Sequence, residues 1–120
     1  MKHDVRIKRA YEAADAGDGY RVLVDRLWPR GVPKSKLKAD LWLKEVAPST
    51  ELRNWFKHDV EKWPDFRKKY IAELKQNSEC VDILAGQLRK GRMTLVYGAK
   101  DQEHNQAVVL RDFLSGHKKQ

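Results

Sequence analysis

Cysteine is nearly absent from this sequence of 120 residues, which contains only Cys80. A single cysteine excludes an internal disulfide and is typical of proteins in a reducing cytoplasm. Long apolar runs are also absent, because no stretch approaches the roughly 20 residues that cross a bilayer. The segment from Met1 to Arg6 lacks the apolar core of a signal peptide. We therefore expect a cytoplasmic protein with no membrane partner.

The motifs of several common enzyme classes are missing as well. There is no phosphate-binding loop of the Gly-x4-Gly-Lys-Ser/Thr type, no Gly-x-Ser-x-Gly elbow and no His-Glu-x-x-His metal motif. The glycines of the turn at 16–19 precede a predicted strand instead of following one, which excludes a dinucleotide fingerprint. Cys80 lies in a predicted helix and lacks the arginine of a phosphatase-type cysteine loop. We therefore expect no cofactor and no bound metal.

Positive charge is what the sequence has in excess. The 25 Lys and Arg residues outnumber the 17 Asp and Glu residues, which gives a formal net charge of +8. The segment from Arg21 to Lys38 concentrates this excess, with six basic residues and Asp25 as its only acidic one. Such a segment attracts phosphates and other anions, nucleic acid included. The alternative is that Lys34, Lys36 and Lys38 belong to a solvated loop.

Two continuous apolar runs predict the fold class. Val22 to Val24 and Thr94 to Tyr97 do not alternate with polar residues, a pattern that indicates strands buried on both faces of a parallel sheet. Val5 and Ile7 alternate with charged residues and predict a half-exposed strand. We expect a single small α/β domain over residues 1–120, with a mainly parallel sheet of three to four strands covered by helices.

Helix boundaries follow from capping residues. A weaker strand is predicted from Trp42 to Val46, and Ser49 then caps a short helix. Pro64 is suited to the first turn of the next helix. Ser78 is expected to cap the following helix, and Asp101 the last one.

The first predicted buried strand ends in a group of cationic and aromatic residues. Arg26 and Arg30 flank Trp28-Pro29, and the proline restricts the backbone on both sides. Two guanidinium groups and an indole on a rigid turn form a plausible receptor for a phosphorylated or planar anion. The alternative is that Asp25 pairs with an arginine while Trp28 packs in the core.

The second predicted buried strand ends in a comparable group of polar residues. It offers Tyr97, Lys100, Asp101, His104 and Asn105 within nine positions. His104 could transfer a proton near neutral pH, with Asp101 orienting its ring. The alternative is that Asp101 only caps the helix and that His104 lies exposed in its first turn.

A third polar group lies between two predicted helices. It contains Arg53, Trp55, His58 and Asp59. If His58 faced the strand ends, it could join His104 as an acid–base pair. A metal pair is disfavoured, because the sequence lacks a recognised set of ligand spacings.

Ligands bind at the carboxyl ends of strands in open α/β sheets, so we expect the three groups to form one pocket for a small anionic ligand. The expected anion donors are Arg26, Arg30, Arg53, Lys100 and Asn105. The expected proton carriers are His58 and His104, oriented by Asp101, with Trp28 or Tyr97 stacking on the ligand. A nucleic-acid-binding module and a protein-interaction domain with an exposed tryptophan remain alternatives, and the sequence indicates no oligomeric state.

Three motifs also carry a family resemblance. The segments 22–31, 47–59 and 99–105 closely resemble, in that order, the YeaO-like branch of domain-of-unknown-function family 488. The resemblance covers nearly the whole chain and implies a small cytoplasmic bacterial protein of α/β type. It implies no assigned reaction. The cysteine motifs of other branches have no counterpart at Cys80, so the resemblance implies no thiol chemistry.

Overall fold

The computed structural model describes residues 4–116. Its four strands are β1 (Val5–Arg9), β2 (Tyr20–Leu23), β3 (Leu41–Trp42) and β4 (Met93–Tyr97). Its five α-helices are α1 (Lys34–Leu37), α2 (Thr50–Phe56), α3 (Trp63–Lys75), α4 (Ser78–Lys90) and α5 (Gln106–Leu114). Single 3-10 turns occupy Ala16–Asp18, Lys44–Val46 and Val60–Lys62. None of the helices in this part of the chain is long and apolar enough to cross a membrane.

The four strands form one sheet in the order β1-β4-β2-β3, and every neighbouring pair is parallel. The prediction of an α/β fold with a mainly parallel sheet is therefore confirmed. The two strands with continuous apolar sequences, β2 and β4, occupy the centre, where Val22 pairs with Leu95 and Leu23 with Val96. All four of these side chains have no exposed surface. Central position explains why their sequences do not alternate between apolar and polar residues.

The two faces of the sheet carry two separate apolar clusters. On one face, Val22 and Leu95 pack into the larger cluster, to which α2, α3, α4 and α5 contribute. On the other face, Leu23 and Val96 pack with Leu37 of α1. Alternate residues of each central strand therefore contribute to opposite layers, as strand geometry requires.

Three boundaries differ from the sequence-based expectation. The strand predicted from Trp42 to Val46 ends at Trp42, because the backbone N–H of Val46 donates to the carbonyl of Leu43 and closes a 3-10 turn. Ser78 is the first residue of α4 and not its cap. The N-cap position belongs to Asn77, whose side chain instead donates to the carbonyl of Glu45.

The last helix also begins later than expected. Its N-cap is Asn105, whose side chain accepts a hydrogen bond from the backbone N–H of Val108. The expectation that Asp101 caps this helix is therefore wrong. Asp101 accepts instead from the backbone N–H groups of Glu103 and His104, so it closes the turn before the helix. His104 accordingly lies just outside the helix.

The strand order brings two polar junctions together. The ladder between β2 and β4 continues to Val24, whose N–H donates to Val96. The next residue, Asp25, then leaves the sheet beside Gly98, which follows β4. The connection between β3 and β4 carries α2 and α3 across the same end of the sheet. Residues far apart in sequence therefore line one cavity there.

Candidate functional site

A cavity of about 180 Å³ opens at the carboxyl ends of the two central strands. Its walls come from the loop after β2, the segment before α2, the end of α2 and the turn that follows it, α3, and the segment that leads into α5. The lining residues are Asp25, Arg26, Leu27, Ala47, Pro48, Arg53, Phe56, His58, Phe66, Ala99, His104, Asn105 and Gln106. All three sequence motifs of the resemblance contribute to this set.

Asp25 is the acidic residue of the cavity wall. One carboxylate oxygen accepts a hydrogen bond from the backbone N–H of Gly98 at 2.8 Å, and the other accepts from the side-chain amide of Gln106. Burial raises the pKa of Asp25, although these two hydrogen bonds and the charge of Arg53 oppose that shift. Within residues 4–116, Asp25 makes no ion pair, so the alternative in which it pairs with an arginine is not supported.

Arg26 is fixed by the loop that precedes α2. One of its terminal nitrogens, Nη2, donates to the carbonyls of Ala47 and Pro48 at 3.2 and 3.3 Å. Its Nε atom is buried and has no hydrogen-bond partner in the described part of the chain. A buried donor without a partner is costly unless a ligand or water satisfies it.

Arg53 is the second guanidinium of the cavity and lies in the last turn of α2. Arg53 is exposed. Among the described residues, neither Arg53 nor Arg26 has a carboxylate within ion-pair distance, whereas Arg21, Arg67 and Arg92 each do. The positive charge of the cavity is therefore not neutralised by an internal ion pair.

His58 reaches the cavity through an unusual backbone conformation. Helix α2 ends with Lys57 in the left-handed region at φ 45°, and His58 follows with φ 59°. Two consecutive non-glycine residues in this region are energetically unfavourable. The conformation turns the chain sharply after α2, and the His58 ring then lies 6.1 Å from that of Phe56.

His104 is held from two sides. Its ring nitrogen Nδ1 lies 2.9 Å from a carboxylate oxygen of Asp101, and its ring meets Trp63 edge-on at 5.2 Å. Hydrogen bonds lower the pKa of Asp101, first from the backbone N–H of Glu103 and then from His104 itself, so this carboxylate stays ionised at neutral pH. Asp101 does not line the cavity and acts on it through His104.

The apolar part of the cavity comes from α2 and α3. Phe56 and Phe66 stack with their ring centroids 4.3 Å apart, and both rings are almost completely buried. Leu27 lies at the rim and is 66% exposed. The cavity therefore offers apolar surface as well as guanidinium and imidazole groups.

The structure brings only part of the predicted set together. Arg26, Arg53, His58, His104 and Asn105 line the cavity. Asn105 caps α5, and its side-chain amide also donates to the carbonyl of Asp101.

Besides Asp101, four predicted site residues do not line the cavity. Trp28 packs edge-on against Trp42, and its indole N–H donates to a backbone carbonyl, so it belongs to the smaller apolar cluster. Tyr97 is 2% exposed and belongs to the larger one. Arg30 and Lys100 are exposed and are not among the lining residues. The expectation that these four residues form the pocket wall is not supported.

Sequence reasoning missed the roles of Asp25, Gln106 and Phe66. From the sequence, Asp25 is expected only as a partner for an arginine, and Phe66 receives no role in the site. Asp25 directly follows a buried strand, and this position is a signal that could have identified it as a site residue. Gln106 offers no such signal, because its partner is 81 residues away in sequence.

Two further observations limit the chemistry. Within residues 4–116, no group of three or more His, Cys, Asp and Glu side chains could hold a metal ion. Arg21, the first residue of the basic segment, is 4% exposed and forms an ion pair with Asp18 at 2.6 Å. This arginine therefore does not contribute to the surface charge.

Comparison with known proteins gives the family. The chain is 47% identical over 111 residues to the uncharacterized protein YeaO of Escherichia coli, covering 92% of this chain and 96% of YeaO. It is 38% identical over 114 residues to the uncharacterized proteins Mb3100c of Mycobacterium bovis and Rv3073c of Mycobacterium tuberculosis, covering 93% of this chain and 94% of each.

No solved structure gives a significant match to the chain. The family model described as the inactive DUF488-N3 subclade matches residues 4–120, which is nearly the whole sequence. The YeaO-like resemblance of the three motifs is thereby confirmed. The chain belongs to the inactive DUF488-N3 subclade.

Proposed function

We propose that this protein binds a small anionic ligand in the cavity at the carboxyl ends of β2 and β4. The observation that carries the proposal is the unneutralised cationic wall. Arg26 and Arg53 face the cavity without an ion-pair partner among the described residues, and His58 and His104 lie beside them. An anion would satisfy these groups and the buried Nε atom of Arg26.

The start of α5 adds to the positive potential. Gln106, the first residue of this helix, lines the cavity, and the N-terminus of a helix carries a partial positive charge. The free backbone N–H groups of a first turn are also suited to anions. Helix α5 and the two arginines therefore favour the same charge in the ligand.

Binding without turnover is the better supported form of this function. The family description calls the subclade inactive. Acid–base catalysis by His58 or His104 stays a prediction that anion binding does not require. The single cysteine of the chain supports the cytoplasm as the place of action.

The nucleic-acid alternative has less support. A nucleic-acid surface needs many exposed basic groups, and the segment from Arg21 to Lys38 loses Arg21 to a buried ion pair. Trp28 and Trp42 pack against each other and are not free to stack on bases.

The protein-interaction alternative depends on Trp55, which is 36% exposed and has the ammonium groups of Lys62 and Lys69 about 5 Å from its ring.

A thermal-shift screen tests the proposal. Carboxylates, inorganic phosphate, sulfate and a short oligonucleotide are added at constant ionic strength, which is set with sodium chloride. A ligand at 100 times its Kd stabilises a protein by about 2.7 kcal/mol, enough for a clear rise in Tm. We expect small anions to raise Tm in a saturable way and the oligonucleotide to have no effect that survives added salt.

Two matched variants locate the binding. Arg53 and Arg89 are both exposed arginines in the last turn of a helix, but only Arg53 lines the cavity. Arg53→Ala should lower the affinity about tenfold or more, while Arg89→Ala should behave as the wild type. Saturable binding that survives Arg53→Ala, or the absence of any small-anion effect on the wild type, would contradict the proposal.

A further inference from the structure

The charge balance of the cavity restricts the class of ligand. Three charged side chains line the cavity: Arg26 and Arg53 are positive, and Asp25 is negative. The fixed charge of these three side chains is therefore +1. A singly charged anion neutralises this wall, whereas a dianion leaves excess negative charge beside Asp25. The carboxylate of Asp101, behind His104, only adds to that excess.

The size of the cavity restricts the ligand as well. Pockets for drug-sized ligands usually measure about 300–1,000 Å³, and this cavity measures about 180 Å³. Because the cavity is smaller than these pockets, it favours a small ligand, and a nucleotide or a sugar phosphate would extend beyond it.

The apolar residues of the cavity indicate what the rest of the ligand is made of. They are the stacked rings of Phe56 and Phe66, together with Ala99 and Leu27. A ligand that fills the cavity therefore has one anionic end and one apolar end. Inorganic phosphate and sulfate lack the apolar end.

On the basis of the proposed anion-binding function, we propose that the ligand is a small monocarboxylate with a short non-polar tail, and that Asp25 is the residue that excludes doubly charged anions. The position of the Asp25 carboxylate is fixed by Gly98 and Gln106, so it cannot turn away from the ligand without losing two hydrogen bonds.

Three small molecules distinguish the effect of ligand charge on binding from the effect of ligand shape. Butyrate carries one charge and an apolar tail. Succinate carries two charges, and succinamate has nearly the same shape as succinate but one charge. Binding is measured by isothermal titration calorimetry at pH 7.5 and constant ionic strength, with inorganic phosphate as a fourth probe.

For the wild type, we expect butyrate to bind more tightly than succinamate, and succinamate at least about tenfold more tightly than succinate or phosphate. The tenfold difference corresponds to the repulsion of one additional ligand charge by Asp25 at an effective dielectric constant of about 20. In Asp25→Asn, whose wall carries a charge of +2, the ratio of succinamate affinity to succinate affinity should fall at least about tenfold. Asp82→Asn removes one negative charge from an exposed position of α4 outside the cavity, so it is the control and should preserve this ratio.

The outcomes are distinguishable. If succinate or phosphate binds the wild type as tightly as the monocarboxylates, the charge selection by Asp25 is wrong while anion binding stands. An unchanged ratio of succinamate affinity to succinate affinity in folded Asp25→Asn would likewise show that the charge selection by Asp25 is wrong. If none of the four probes binds, the proposed function itself fails. If Asp25→Asn does not fold, the wild-type comparison of succinate with succinamate still decides the question.

Discussion

The Asp25 carboxylate accepts a hydrogen bond of 2.8 Å from the backbone N–H of Gly98 and thereby joins the loops that follow the two central strands. The absence of a side chain at position 98 permits this contact. A Cβ atom added to Gly98 would lie 2.8 Å from the accepting oxygen of Asp25, closer than such atoms normally approach. The geometry of the cavity wall therefore depends on a glycine in one loop and an aspartate in another.

Gly98→Ala should consequently displace the Asp25 carboxylate and destabilise the protein by about 1–3 kcal/mol, as expected for overpacking at a buried contact. The free energy of unfolding in urea measures this effect. Gly86→Ala is the matched control. Gly86 lies inside α4, where an added Cβ meets only the end of the Arg89 side chain at 3.9 Å. This control should stabilise the protein by up to about 1 kcal/mol. Equal effects of the two substitutions would contradict the close contact at Gly98.

The pH dependence of stability should report on the burial of Asp25. Its pKa is raised in the folded protein above the ordinary value of 3.8, so between these two values the folded state binds more protons than the unfolded state. The contribution of Asp25 to stability therefore falls as the pH rises through that interval. Asp25→Asn does not titrate, so its stability relative to the wild type should increase as the pH rises above about 3.8. Urea unfolding of both proteins from pH 3.5 to 7 measures the difference.

Asp18 and Asp101 have lowered pKa values and act in the opposite direction, because stability that depends on them is lost as the pH falls through those values. They are present in both proteins and cancel in the difference. A constant difference between the wild type and Asp25→Asn across the pH range would show that Asp25 has an ordinary pKa.

The left-handed residue Lys57 offers a test of how the conformation of His58 is maintained. Glycine adopts this conformation without the penalty of about 1–2 kcal/mol that other residues incur. Part of that gain is offset by the greater freedom of glycine in the unfolded chain. Lys57→Gly should therefore stabilise the fold by up to about 1 kcal/mol, as measured by urea unfolding.

Lys38 provides the matched control for Lys57, because it has φ 49° at the end of α1 and does not line the cavity. Lys38→Gly should stabilise the fold by a similar amount. Only Lys57→Gly should weaken anion binding, because only this residue adjoins His58. If both variants bind with wild-type affinity, the strained turn does not contribute to the site.

The buried ion pairs of Asp18 should contribute strongly to stability. Asp18 accepts hydrogen bonds from Lys8 and from Arg21, and the Arg21 side chain is 5% exposed. Asp18→Asn leaves Arg21 buried without its counter-charge and should destabilise the protein by about 3–5 kcal/mol. Asp112→Asn, which disrupts the more exposed pairs with Arg67 and Arg111, should cost less than about 1 kcal/mol. Comparable losses would contradict the buried character of the Asp18 cluster.

Much of the site was predictable from strand ends. Val24 and Tyr97 end buried apolar runs, so the residues that follow them were expected to meet at one edge of a parallel sheet, and Arg26 and His104 do so.

The wrong prediction that Asp101 caps the last helix has a local cause. Asn105 is four residues further along and competes for the same cap. Both residue types cap helices well, and the sequence contains no signal that ranks them.

The directions of single side chains were not predictable. Trp28 and Arg30 belong to the same short loop as Arg26, yet only Arg26 lines the cavity, because Trp28 finds a packing partner in Trp42. That partner comes from a separate strand. Pro29 restricts the backbone of this loop, but it does not determine which neighbouring residues face the ligand.

The sequence by itself determined the elements of this protein, since continuous apolar runs and helical periodicity depend on neighbours only a few residues away. Those runs also placed β2 and β4 at the buried centre. Only the tertiary structure decided the charge of the cavity, because that charge depends on which side chains pair elsewhere. Arg21 is neutralised by Asp18, while Arg26, Arg53 and Asp25 meet at the strand ends. Such pairing is a property of distances in space, which local sequence patterns do not contain.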